Sequence, residues 1–315
     1  MAQGITTAND IPPAIRDVYQ RMMLEEAKQT LVYRLFTDSD SIPTGNGDGM
    51  EWYRYDDYPD VTTELTDGVY GAPRQPVRRT IKASLSVYGD YGKYTKRTVK
   101  TNLEDFTMRQ VEKFARQSAK TFDKLMRDVY YSGISYVNAT NGVSGTPGTL
   151  TELTATDFGI VTKMLRGNEA EYIRPMISAS GLVNTGAVSP AYFAFVHTDL
   201  RDDVRNMKGF RDVKDYGVQQ PGYAMELGSV GNVRILETPY GKLTGSTYSV
   251  IVTGANAAGE VNLSGNDYSV YRHGFGSAGA SDPHSMFMTI GWDAYWAGVV
   301  KNDNWTADLR CIVSA

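Results

Sequence analysis

A single cysteine, Cys311, leaves this sequence without an intrachain disulfide framework or a cysteine-built zinc site. Histidine is almost as scarce: His197, His273 and His284 are the only three, none paired at i,i+4 and none at metal-site spacing. No apolar run approaches the roughly 20 residues that a membrane-spanning helix needs. The opening residues, Met1-Ala2-Gln3-Gly4-Ile5, carry neither the basic nor the apolar region of a secretory signal. Net charge is −4, so no overall basic field draws the chain to nucleic acid or to a membrane. These absences fit a protein made and used in cytoplasm. No repeat of fixed period is present either, which disfavours a fibre.

What is present is an ordinary globular composition, 41% hydrophobic and 22% charged over 315 residues, enough for one large domain or two smaller ones. Its organising stretch runs from Thr101 to Gly133. Thr101-Asn102-Leu103-Glu104 has the T-x-x-E pattern of a capping box, and no Gly or Pro follows until Gly133. Met108, Ala115, Phe122 and Val129 recur every seven residues, with Val111 and Leu125 offset by three, which predicts one buried stripe. Charged residues fill the opposite face, with Glu112/Arg116 and Asp123/Arg127 at i,i+4. A helix over 103–132 would be about 45 Å long and would need an equally long partner surface.

The flanks differ in character. Pro12-Pro13 precedes a helical pattern over about 14–36, and 38–49 reads as a loop. From 50 to 100 the pattern turns to β: 51–55 is a strand candidate, and Ile81, Ala83, Leu85 and Val87 alternate with polar residues before an expected turn at Gly89-Asp90. Charge is segregated there, with Asp56, Asp57, Asp60 and Glu64 on one limb and Arg74, Arg78, Arg79 and Lys82 on the next. Such a hairpin has few apolar residues for a core of its own, so it must lie on its own body or on a neighbour. Its charges either pair within the hairpin or set the register between copies. Beyond the spine, 141–148 reads as a connection, 155–166 as a helix, and 191–197, 233–238, 248–253, 286–300 and 306–313 as strands, with little structure in 254–279 besides 268–272.

Motifs of chemistry are sparse. Gly274-Phe275-Gly276-Ser277-Ala278-Gly279 is a formal G-x-G-x-x-G, but Asp282-Pro283 stands where the phosphate-holding helix would begin. No nucleophile elbow or catalytic-cysteine context appears. The sequence therefore predicts no catalytic residue, no metal site and no cofactor. The basic limb, interleaved with Tyr88, Tyr91 and Tyr94, has the makings of a single-strand binder, and the acidic limb beside it argues against that.

The order of arm helix, charged hairpin, spine helix, mixed α/β region and closing strands resembles the major capsid proteins of tailed bacteriophages, the Hong Kong 97 type of α+β fold. Three segments carry the resemblance. Ala194 to Val204 is similar to that family's strand, V-H-P-D corner and helix, with Thr198 in the proline position. Gly228 to Pro239 is similar to its G-x-[IV]-G-x-[VF]-x-[IVL]-x-E-[ST] strand, and Gly291-Trp292 with Gly298 resembles its ending, with Asp293 where lysine is common. These place it nearest the branch named after coliphage N-four. The resemblance implies an N-terminal arm (1–49), an extended β-hairpin loop (50–100), a peripheral domain with the spine (101–153), an axial domain (154–280) and return strands of the peripheral domain (281–315). It implies copies of this chain in hexamers and pentamers of an icosahedral shell in the virion, assembled in the host bacterial cytoplasm around double-stranded DNA that is held only by weak, non-specific contact. A portal and a separate scaffolding protein, the latter because only about 12 residues precede the first predicted helix, are expected partners, with a decoration protein as a further one. An encapsulin-like nanocompartment shell is the alternative.

Overall fold

The computed structural model describes residues 32–56, 58–62, 64, 71, 73–101, 106–140, 150–174, 189–215, 223–265 and 268–314. The N-terminal arm helix, save for 32–36, the T-x-x-E pattern beyond Thr101, Asp57 and the 141–148 connection therefore lie outside the described residues. Residues 32–36 form a turn. In chain order the strands are β1 (Asp38–Ile42), β2 (Gly49–Tyr55), β3 (Arg78–Ser84), β4 (Ser86–Thr95), β5 (Ser135–Asn138), β6 (Tyr192–His197), β7 (Phe210–Asp212), β8 (Glu226–Val230), β9 (Val233–Thr238), β10 (Lys242–Thr244), β11 (Thr247–Thr253), β12 (Ala258–Leu263), β13 (Ser269–His273), β14 (Phe287–Val300) and β15 (Thr306–Cys311).

Among the described residues these strands make three sheets. A five-stranded sheet runs β1-β12-β14-β13, with β4 on the other side of β14; an eight-stranded sheet runs β5-β15-β11-β6-β9-β8-β7, with β10 on β11; β2 and β3 pair alone. The fold is α+β, as the sequence predicts. The spine helix, Phe106–Tyr130, lies across the five-stranded sheet and reaches the eight-stranded one. Even-numbered residues of β14 (Met288, Ile290, Trp292, Ala294, Trp296) meet the helix, while odd-numbered ones face away. Phe122 packs edge-on to Trp292 with ring centroids 5.7 Å apart. The same core takes in Phe193, Phe195, Leu236 and Ile251 from the other sheet. That sheet is covered on its far face by Phe158, Val161 and Leu165 of the helix Ala155–Gly167. With helices on both sides, β6 is buried on both faces, which is why it reads as an unbroken apolar run rather than an alternation.

Several expectations give way here. Val111, Ala115 and Phe122 are buried, but Met108, Leu125 and Val129 are only half-buried, and Met126 and Tyr130 take the inner line instead. A strict seven-residue repeat drifts about 20° per heptad on a straight helix, so a stripe aligned at Ala115 slides off by Val129. Gly89-Asp90 is no turn; it lies mid-strand in β4, which pairs with β14 through ten residues. Residues 38–42 form an edge strand, and 258–263 in the supposedly bare span form β12, buried through Ala258 and Val261. The expected boundaries also cross: β12 and β13, assigned to 154–280, join β14, whereas β15, expected to return beside the spine, lies between β5 and β11. Pairings over such distances leave no local mark in a sequence.

Candidate assembly surface

The hairpin of β2 and β3 is rooted by alternation. Met50, Trp52, Ile81 and Ala83 turn to one face and pack with Ile42, Val261 and Ala297 on the body. Trp52 donates its indole N–H to Asp40 Oδ2 at 2.8 Å, and the Lys301 ammonium lies 4.7 Å from the Trp52 ring centre. Past this root the described residues of the hairpin form no core of their own. Tyr53, Tyr55, Tyr58, Val61 and Val77 are all exposed.

The charges along it pair inside the hairpin where they can. Arg79 Nε donates to Asp56 Oδ2 at 2.9 Å, Lys82 pairs with Glu51, and the Arg78 guanidinium lies 4.3 Å from the Tyr53 ring centre. The Lys82 ammonium holds the Glu51 carboxyl below its ordinary range. Asp60, Glu64 and Arg74 are exposed in coil, and no ion pair joins them to another described residue. Of the expected contact residues, then, the structure brings Asp56 and Arg79 together and leaves Asp60, Glu64 and Arg74 free among the described residues. Glu51, the partner of Lys82, went unnoticed in the sequence because it sits within an aromatic strand.

The root of the arm was also missed. Its i,i+4 spacing to Arg127 predicts Asp123 on the charged face, yet it is fully buried, and its Oδ1 accepts the backbone N–H groups of Val32 and Tyr33, each at 2.9 Å. Arg127 turns instead to Asp128 and to the Tyr240 carbonyl. Burial raises the Asp123 carboxyl to about 6, against the lowering pull of those two N–H groups. One residue on, Arg34 makes a two-pronged pair with Glu260 at 2.6 and 2.9 Å, and Trp296 donates its indole N–H to the same carboxylate at 3.0 Å. Two inward carboxylates thus clasp the chain where the arm meets the body.

Groups with chemical potential are otherwise in structural use or dispersed. His197 Nδ1 accepts the Asp199 N–H at 3.1 Å and caps a short helical turn. Gly274 to Gly279 leads into a 3-10 turn. Burial pushes the Cys311 thiol up to about 12, so it stays protonated in the core. Among the described residues no three of His, Cys, Asp and Glu gather in a metal-holding group.

A family model described as "Phage capsid protein" matches residues 77–307. The chain belongs to the phage capsid protein family. Solved capsid structures share its fold at low identity. The capsid of cyanophage Pam1 superposes with a TM-score of 0.63 at 12% identity, over 86% of this chain and 87% of that one. The capsid of Ralstonia phage GP4 gives 0.63 at 12%, over 89% and 86%. Mycobacterium phage Che8 gives 0.59 at 12%, over 89% and 91%. No curated protein matches the sequence. The family match favours a phage shell over a nanocompartment shell, so this capsid protein is a structural component of a virion that associates with copies of itself.

Proposed function

We propose that this capsid protein is the major shell subunit of a tailed phage with double-stranded DNA, forming the hexamers and pentamers of an icosahedral shell. The observation that carries the reading is the hairpin: among the described residues it packs on the body at its root, and beyond that its tyrosines, valines and charges stand exposed. The hairpin of β2 and β3, with the residues between them, is then the extended loop laid over a neighbour, while β4, the rest of the expected 50–100 loop, stays in the body sheet beside β14; 101–153 is the start of the peripheral domain, and 154–280 chiefly the axial domain. The role is geometric, without turnover or cofactor. A net charge of −4 suits an inner wall that touches DNA weakly, because tight phosphate contacts would hold back the genome at release. Assembly in the host bacterial cytoplasm with a separate scaffolding protein and a portal, a later decoration protein, and a place in the branch named after coliphage N-four complete the reading.

The test reverses charge on the hairpin. Arg78→Glu with Arg79→Glu removes an exposed ion pair and an exposed ring contact, together worth about 1–2 kcal/mol at most. Thermal unfolding of the unassembled variant is expected to stay close to the wild type, while sedimentation shows shells lost or made salt-sensitive, because each copy repeats the contact. Normal shells from the variant would remove the loop from the interface.

A further inference from the structure

The five-stranded sheet turns its second face away from the spine helix, and a slot crosses it there. Gly291 on β14 forms the floor. Its cross-strand partners are Tyr91 on β4 and Tyr271 on β13. These tyrosines are 72% and 48% exposed, although each sits within a paired strand. Two strand intervals put their backbones about 10 Å apart. The floor depends on glycine: a Cβ at position 291 would stand 2.8 Å from the Tyr91 Cβ. One pair further along β14, Asp293 lies between Gly89 and Ser269, half-buried and without a hydrogen bond or ion pair to another described residue. Asp90, by contrast, turns to Gln117 on the helix side, at 2.6 Å. The cleft holds about 520 Å³.

An aromatic-walled trench with a bare floor suits a polyproline strand, whose rings stack without needing backbone donors. The chain carries a segment of that composition. Pro73-Arg74-Gln75-Pro76 has the P-x-x-P spacing, is exposed throughout, and runs in coil up to β3. Its exit is fixed, since the Val77 carbonyl accepts the Asp56 N–H at 3.0 Å. The two prolines recur on one side of a polyproline helix about 9 Å apart. Arg74 between them is a cation without a partner among the described residues, and Asp293 is the matching anion at the slot. The chain's own segment is badly placed to fill it. From Val77 the backbone must travel the whole of β3, one residue at Leu85 and half of β4 before it reaches Tyr91, all of it extended.

We propose that the Tyr91–Gly291–Tyr271 slot receives the Pro73–Pro76 segment of a second copy of this chain, with the incoming Arg74 paired to Asp293. This rests on the reading of the β2–β3 hairpin as a loop between copies, and it names where that loop lands.

The experiment uses full-length chains carrying Gln75→Cys with Ser269→Cys, which leaves both prolines, Arg74 and both tyrosines in place; the buried Cys311 adds no background. Shells treated with a short bis-maleimide are expected to give a ladder of linked chains on a denaturing gel. A link within one chain would assign the slot to the chain's own loop, and no link would empty it; either overturns the proposal. In parallel, Arg74→Asp is expected to lower shell yield at least tenfold in sedimentation, and adding Asp293→Arg to restore it. If Arg74→Asp blocks shells, the second change does not rescue them and no link forms, the slot falls while the loop contact stands. If the wild-type chain forms no shells with any scaffold supplied, the shell reading itself falls.

Discussion

Asp123 offers the sharpest separation between a charge and the hydrogen bonds it makes. Its Oδ1 accepts two backbone N–H groups, from Val32 and Tyr33, while its Oδ2 is buried with no partner among the described residues. Asp123→Ala strands both N–H groups, at about 1–3 kcal/mol each, so a loss of about 2–6 kcal/mol is expected. Asp123→Asn keeps an oxygen for both donors and removes the buried charge, so at pH 7 it is expected to cost less than about 1 kcal/mol. The two also differ with pH. The carboxyl moves from its ordinary 3.8 to about 6 in the folded chain. Between those values the folded state holds a proton that the unfolded state has released. Stability from this group is therefore fully present below pH 4 and lost as pH rises through 6. Two pH units correspond to about 3 kcal/mol. Urea unfolding of unassembled wild type and Asp123→Asn, compared from pH 4 to 8, should show the difference moving about that far in favour of the wild type on acidification. A flat difference, or an asparagine variant as damaged as the alanine one, would refute the account.

Two further outcomes follow from packing. Phe122→Ala, opening a cavity beneath Trp292 and Trp296, should cost about 3–5 kcal/mol in denaturant unfolding, whereas Lys120→Ala, exposed with its ammonium near the Tyr240 ring, should cost under about 1 kcal/mol. Gly291→Ala should lose about 1–3 kcal/mol, because the added methyl meets the Tyr91 Cβ and the Asp90 carbonyl; an unchanged melting temperature would mean that β4 and β14 are less tightly paired than they stand here.

How far these features could be read in advance depended on the range of the interaction. The helix at 155–167 and strands such as β6, β9 and β14 declared themselves, because propensity and a buried face act within a few residues. Gly89 misled for the opposite reason. Glycine usually marks a turn, but here a Cβ would lie 2.6 Å from the Trp292 carbonyl, so the residue serves a close approach of strands instead. Asp123 looked like a solvated member of an i,i+4 pair because its real partners are 90 and 91 residues away. The candidate surface was half legible: segregated charge pointed to the hairpin, but not to the pairing of Arg79 with Asp56 or to the slot across β14.

The position of β15 has a consequence for how the subunit comes into being. It lies between β5 and β11, parallel to the first and antiparallel to the second, so among the described residues β5 joins the eight-stranded sheet through it alone. During synthesis β5 and β11 both emerge before β15, and until residue 311 has left the ribosome each has an unpaired edge. Open edges recruit strands from other chains, and non-local pairings of this kind close slowly. A chain cut short before β15 is therefore expected to keep those edges open, and to fail as a subunit of a shell built from copies of itself.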